Sequence, residues 1–152
     1  MSIATRLQEL GIELPDVAAP VAAYVPAVVH GGLVYTSGQL PFASGALPAT
    51  GKVGAEVTPE DAATYARTCA LNALAAAAAA AGGLDRIAGV LRVGGFVASA
   101  PSFTGQPAVI NGASEVLGEI FGDAGRHARA AVGVASLPLD SPVEVEVTFL
   151  LA

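Results

Sequence analysis

The stretch that decides the fold is Gly125–Ala152, GRHARAAVGVASLPLDSPVEVEVTFLLA, because it contains two β-forming runs joined across prolines. In the second run, apolar residues alternate with acids and a threonine, which is the period of a half-buried strand. We predict strands at roughly 128–136 and 143–151. Each strand carries a charge beside apolar neighbours, Arg129 in the first and Glu144 in the second. Such charges are costly unless paired, so these two residues form either a structural salt bridge or a ligand site.

Two helices are predicted upstream of these strands. The nearer one has seven apolar residues on one face at 3.6-residue spacing: Val109, Ile110, Ala113, Val116, Leu117, Ile120 and Phe121. The farther one is Ala-rich and begins at Thr58, a hydroxyl cap followed by Pro59 at the first helical position. We expect it to end near Ala81, because Gly82 and Gly83 follow.

The remaining segments complete an α+β pattern. Two β-rich runs flank Gly31 and Gly32 as a hairpin, residues 38–57 read as a loop, and RIAGVLRVGGFVAS predicts a strand with a bulge at Gly94 and Gly95. Residues 1–19 predict a short helix, from Ser2 to a stop at Gly11, and then a linker around Pro15 and Pro20. The order is β-β-α-β-α-β-β, a sandwich of one sheet and two long helices in a single domain over residues 1–152.

Two helices cover only one face of such a sheet, so the other face needs a second partner. In the strand after Gly125 the even positions are the bulkier set, whereas Arg129 shares its face with Ala131 and Gly133. We expect the larger apolar residues beneath the helices, with Arg129 and Glu144 on the opposite face. An uncovered face of this composition predicts association with another copy of the chain.

Composition and charge narrow the function. A 53% hydrophobic content argues against disorder, and a net charge of −6 with only seven Lys and Arg argues against nucleic acid as a partner. Cys69, His30 and His127 match no metal-ligand spacing, and a lone cysteine fits a reducing cytoplasm. We expect no metal and no signal peptide. We also expect no membrane span, since Gly82 interrupts the Ala-rich run.

Several motifs occur together between about residue 20 and residue 151: YVPAV, YTSGQLP, the helix that starts with Thr-Pro-Glu, GRHARAAVGVASLP and VEVEV. In this combination the chain resembles the YjgF/RidA family, also labelled endoribonuclease L-PSP-like. This resemblance implies a chorismate-mutase-like fold with one mixed sheet, assembled as a homotrimer with three clefts between subunits. This assembly agrees with the expectation drawn from the two faces of the sheet.

The resemblance also implies roles for individual residues. Arg129 matches the arginine that grips a substrate carboxylate, and Glu144 matches the glutamate that handles the hydrolytic water. Tyr24 matches a tyrosine of the cleft, and Ser37 with Gly38 matches the serine-glycine pair whose hydroxyl and backbone N–H line the pocket.

A family asparagine on the second helix has its counterpart in either Asn111 or Ser114. The usual cysteine two residues after the arginine is replaced by Ala131, and Arg126 and His127 stand where the deaminase type has a proline.

The activity implied by the resemblance is hydrolysis of a 2-imino or enamine acid to its 2-keto acid and ammonia, without a cofactor. A guanidinium to fix a small carboxylate metabolite and a carboxylate to orient water suit that chemistry. Two other interpretations stay open: a non-catalytic small-molecule binding protein that uses the same clefts, and an RNA-cleaving translation inhibitor, which the acidic balance disfavours.

Overall fold

A computed structural model describes residues 1–17, 19 and 22–152 of the chain, so Pro20 of the predicted linker lies outside the described residues. The elements follow the predicted order after a short N-terminal helix. They are α1 (Ile3–Leu10), β1 (Ala27–His30), β2 (Leu33–Thr36), α2 (Pro59–Ala81), β3 (Ile87–Ala98), α3 (Gln106–Phe121), β4 (Ala128–Val134) and β5 (Val143–Leu151).

The predicted helix ends are confirmed by their capping bonds. The Thr58 side chain accepts a hydrogen bond from the Asp61 N–H at 3.1 Å at the start of α2. Ser2 caps α1 in the same way, and Gly11 ends that helix in the left-handed region at φ 66°. These local signals place both helices without help from the rest of the fold.

The five strands form one mixed sheet in the order β1-β2-β5-β3-β4. β3 and β4 are parallel, because α3 connects them as a crossover, and the other neighbours are antiparallel. The predicted bulge at Gly94 and Gly95 is wrong, because the register of β3 shifts before Arg92 and is regular from there on. Glycine is needed at Gly95 because a Cβ there would overlap the side chain of Ile110 in α3.

Both long helices pack on one face of the sheet, as predicted. All seven residues predicted for the apolar face of α3 are buried, and they meet the inward valines of β3 and β5. The rings of Phe121 and Phe149 pack at a centroid distance of 6.2 Å. Each fully buried side chain of this size contributes roughly 1.5–3 kcal/mol, so this layer holds the sheet in place beneath the helices.

The prediction for the faces of the sheet is right for β5 and wrong for β4. Arg129 pairs in register with Val93, which is fully buried beneath the helices, so Arg129 points to the helix side. Val132 lies on the uncovered face and is 44% exposed. Ala131 and Gly133 share the helix side with Arg129, and a Cβ at Gly133 would lie 2.8 Å from Nε2 of the Gln106 side chain at the start of α3.

Candidate functional site

A cavity of about 350 Å³ lies beside the start of β5 and contains three of the predicted site residues, Tyr24, Gly38 and Glu144. Its lining is formed by Ala19, Tyr24, Pro26, Gly38, Gln39, Leu40, Phe42, Pro138, Leu139 and Glu144. Three segments distant in sequence therefore converge on one carboxylate. The size is within the range of sites that take small organic molecules.

Glu144 is half-buried on the uncovered face of the sheet and has no hydrogen-bond or ion-pair partner among the described residues. Burial raises the pKa of its carboxyl group, and the nearby charge of Glu146 raises it further. Glu146 differs, because its Oε1 lies 3.4 Å from Nη1 of Arg92. The alternating pattern of the strand does not show which of the two glutamates is unpaired, whereas the ion pair with Arg92 on the neighbouring strand does.

Gly38 allows the Glu144 carboxylate to lie directly against the backbone. A Cβ at position 38 would overlap Oε1 of Glu144 and would lie 2.8 Å from its Cδ. The segment is held there because Gln39 and Val145 exchange backbone hydrogen bonds at 2.8 and 3.0 Å. Gly38 lines the cavity, and its N–H has no acceptor among the described residues.

Ser37 has a different place from the one the resemblance implies. Its hydroxyl donates to the carbonyl oxygen of Val25 at 2.7 Å, and its N–H donates to that of Pro26 at 2.8 Å. Ser37 is not among the residues that line the cavity. It fastens the segment that carries Tyr24 to the end of β2, which is a positioning contact.

Asn72 supports the opposite wall of the cavity from within α2. Its Nδ2 donates to the carbonyl oxygens of Leu40 and Phe42 at 3.0 and 3.1 Å, and the side chain is nearly buried. Sequence reasoning did not place Leu40, Phe42 or Leu139 at the site. The available signals were a single asparagine within an Ala-rich helix and a large apolar residue inside a turn.

Arg129 forms a second polar cluster, at the edge of the sheet beside α3. Its Nη1 donates to Oγ of Ser114 at 3.2 Å and its Nη2 to the carbonyl oxygen of Pro107 at 3.1 Å. No carboxylate of the described residues lies within ion-pair distance of this guanidinium. These bonds use only two of the five guanidinium N–H groups, so the remaining N–H donors are free to bind an anion.

His127 is held between two oxygens of the same cluster. Its Nδ1 lies 2.6 Å from the Gly125 carbonyl, which only accepts, so Nδ1 carries the proton. Nε2 of the ring lies 2.8 Å from Oγ of Ser114, which places these two atoms within hydrogen-bond distance. Of the two candidates on the second helix, Ser114 contacts Arg129, whereas Asn111 is exposed in a shallow groove between α2 and α3.

Arg129 and Glu144 lie on opposite faces of one sheet, so a salt bridge between them within a chain is ruled out. Among the described residues, no group of three or more His, Cys, Asp and Glu side chains is placed to hold a metal ion. Cys69 is a buried core residue, and burial raises the pKa of its thiol. No helix in the described part of the chain has the length and apolar character to cross a membrane.

The family model described as "YjgF/chorismate_mutase-like, putative endoribonuclease" matches residues 4–151. The chain belongs to this YjgF family, as the motifs predicted, and its mixed α+β fold is that of the family. Membership is consistent with a small-molecule deaminase or an endoribonuclease-like role.

Three relatives show how the similarity is distributed. The chain is 46% identical over 145 residues to Protein TCP17 of Trypanosoma cruzi, covering 95% of this chain and 91% of that protein. It is 46% identical to Atu1372 of Agrobacterium tumefaciens, a protein of unknown function, with a TM-score of 0.90 over 99% of this chain and 92% of that one. TdcF of E. coli, whose crystal structure contains bound serine, is 25% identical, with a TM-score of 0.65 over 90% of this chain and 94% of that one.

Proposed function

We propose that the protein is a homotrimeric deaminase that hydrolyses 2-imino acids to 2-keto acids and ammonia in clefts between subunits. The observation that carries this proposal is a pair of incomplete half-sites on opposite faces of one sheet. One half-site is the Glu144 carboxylate beside the free N–H of Gly38, and the other is the Arg129 guanidinium with unused donors.

The uncovered sheet face supports the trimer. Val28, Tyr35 and Val132 are exposed large side chains, and by strand register they share this face with Glu144. An apolar patch of this kind on a soluble chain is typical of a protein interface. A neighbour packed there brings its own Arg129 edge toward the cavity of the first chain and completes the site.

The proposed reaction uses each half-site for one task. Arg129 binds the substrate carboxylate through two parallel N–H groups and fixes the imine carbon. Glu144 accepts a proton from the water that attacks this carbon and delivers it to the nitrogen, which gives a carbinolamine. Glu144 then accepts the hydroxyl proton of the carbinolamine and passes it to the amino nitrogen, so that the C=O bond forms, the C–N bond breaks and ammonia leaves. The Gly38 N–H donates to the oxygen that develops on that carbon.

The raised pKa of Glu144 suits this role. A carboxylate whose pKa is raised toward the working pH is a stronger base than an exposed carboxylate, and its conjugate acid is still acidic enough to return the proton. Burial by residues of the same chain is the main cause of this shift.

The direct test generates imines from amino acids with an amino-acid oxidase and follows 2-keto acid and ammonia release. We expect the wild-type protein to accelerate hydrolysis and the Arg129→Ala variant to lose the acceleration. Arg126→Ala is the matched control, because Arg126 lies three residues away with its side chain 88% exposed. Ligand-dependent melting shifts without turnover would assign the cleft to binding instead.

A second test asks whether the two residues act across subunits. Arg129→Ala and Glu144→Gln are each inactive in the proposal, but trimers that mix them at random should recover roughly a quarter of the wild-type sites. Co-expression with two affinity tags gives such trimers. Absence of recovery in verified mixed trimers would show that the residues do not serve one shared cleft.

A further inference from the structure

The cavity beside Glu144 is walled by apolar side chains where a substrate side chain would extend. Leu40, Phe42, Pro138 and Leu139 form this wall, and Glu144 and Tyr24 are the ionisable side chains among its described lining residues. The amide of Gln39 already donates to the Ser37 carbonyl at 3.2 Å. A polar substrate side chain would therefore lose water without gaining matched partners here.

We propose that the cleft selects 2-imino acids with a bulky apolar side chain, branched or aromatic, and that Leu139 is the residue that determines this specificity. The inference rests on the proposed function and adds the substrate class to it. A volume of about 350 Å³ exceeds what a three-carbon acid fills, so a small substrate would leave the wall in contact with water.

The backbone around Leu139 supports its role as a placed contact residue. The backbone of Leu139 is in the left-handed region at φ 58°, which residues other than glycine, asparagine and aspartate rarely adopt. Asp140 follows it in the same region at φ 57°. Leu139 is also 67% exposed, so it adds little to the core of its own chain. Strain of this kind persists only where surrounding contacts hold it, and it clusters at ligand-binding segments.

The contacts that hold this turn come from the loop before α2. Nζ of Lys52 lies 2.9 Å from Oδ1 of Asp140, and the N–H of Gly51 donates to the Asp140 carbonyl at 2.9 Å. The turn closes on itself through the Asp140 N–H and the Leu137 carbonyl at 3.1 Å. Leu139 is thus presented to the cavity by a turn fixed on both sides.

The test compares hydrolysis of imines derived from leucine and from alanine, in wild-type protein and in Leu139→Asn. Asparagine has the same number of side-chain heavy atoms as leucine, branched at the same carbon, and it tolerates the left-handed region, so it makes the wall polar and keeps the turn. Since one methylene in an apolar pocket is worth about 10-fold or more, we expect wild-type kcat/KM to favour the leucine-derived imine by at least about 10-fold. Leu139→Asn should lose most of this preference.

Two further measurements make the result decisive. Leu139→Gly keeps the left-handed turn without a side chain and should lose the same preference, whereas Val29→Thr, an exposed apolar-to-polar change outside the cavity, should keep it. Calorimetric affinities for 4-methyl-2-oxopentanoate and pyruvate test the same ranking without turnover. If no imine is hydrolysed, the proposed function is wrong, but the affinities for the two keto acids still test whether the cleft prefers a bulky apolar side chain. Equal binding of the two keto acids by the wild-type protein, or an unchanged ratio in Leu139→Asn, would overturn the inference.

Discussion

Replacing Gly38 with alanine should separate catalysis from ligand binding in the proposed site. The added methyl group overlaps Oε1 of Glu144 and lies 2.8 Å from its Cδ, whereas ordinary contacts begin at 3.4 Å. The neighbouring residue Gln39 is tied to Val145 by two backbone bonds, so the backbone resists moving. The carboxylate is the flexible partner and has to recede.

The size of the effect follows from this geometry. The Glu144 carboxyl carbon must move by at least about 0.6 Å, and its nearer oxygen by more, which takes the base away from the attacking water. Misplacement of a reacting group on the order of 1 Å costs about 10²-fold in rate. Because the Arg129 that binds the carboxylate comes from the neighbouring subunit in the proposed site, carboxylate affinity should fall far less than kcat.

The assay measures imine hydrolysis and 2-keto acid affinity for Gly38→Ala beside Gly118→Ala. Gly118 is the matched control, because it lies within α3 and a Cβ there meets nothing within 4 Å. Its replacement should keep the activity and stabilise the helix by about 0.5–1 kcal/mol. A Gly38→Ala protein with wild-type kcat would refute the assignment of Glu144 as the base.

Three further outcomes follow from the contacts of the site. Burial raises the pKa of Glu144, so the folded chain holds this proton more tightly than the unfolded chain does, and the ionised group destabilises the fold above the unfolded pKa of about 4.3. Glu144→Gln should therefore raise Tm at pH 7. The same change should lower the rate of imine hydrolysis by about 10²–10⁴-fold. A gain in Tm that persists at pH 3.5, roughly a unit below the unfolded pKa, would show that ionisation of Glu144 is not the cause of the gain. Arg129→Leu should abolish anion affinity in calorimetry yet change the free energy of unfolding by about 1 kcal/mol or less in urea titrations, since the cluster offers it neutral partners only. Asn72→Ala should destabilise the fold by about 1–3 kcal/mol and weaken 2-keto acid binding, because the Leu40 and Phe42 carbonyls lose their donor; unchanged values for both would show that the wall does not depend on this residue.

The fold was predictable where a pattern is local. The apolar face of α3 and the Thr58 cap each rest on residues within a few turns of one helix, and both are confirmed. The faces of β4 were not predictable, because they depend on register with β3 and on the distance to α3, which no periodicity within β4 encodes. The small residues Ala131 and Gly133 lie on the helix side of the sheet rather than on the uncovered face.

The site shows the same division. The motifs indicated Tyr24, Gly38 and Glu144, which the structure brings together in one cavity. Glu146 lies 3.4 Å from Arg92, a residue 54 positions away, whereas Glu144 lines the cavity beside Gly38, and both contacts depend on strand pairing. Leu139 could not be found from a motif, since its importance comes from a backbone conformation.

The separation of Arg129 and Glu144 by the thickness of a sheet explains why both stay unpaired in one chain. Had they shared a face, Coulomb attraction would have drawn them into a salt bridge, and both would have lost their capacity for a substrate. Because the two residues lie on opposite faces, Arg129 keeps unused hydrogen-bond donors and Glu144 keeps unused acceptors. In the proposed site, a neighbouring subunit and a ligand together provide their partners. In the proposed oligomer, association through the apolar face also assembles the site, so we expect loss of the oligomer and loss of activity to coincide at one protein concentration.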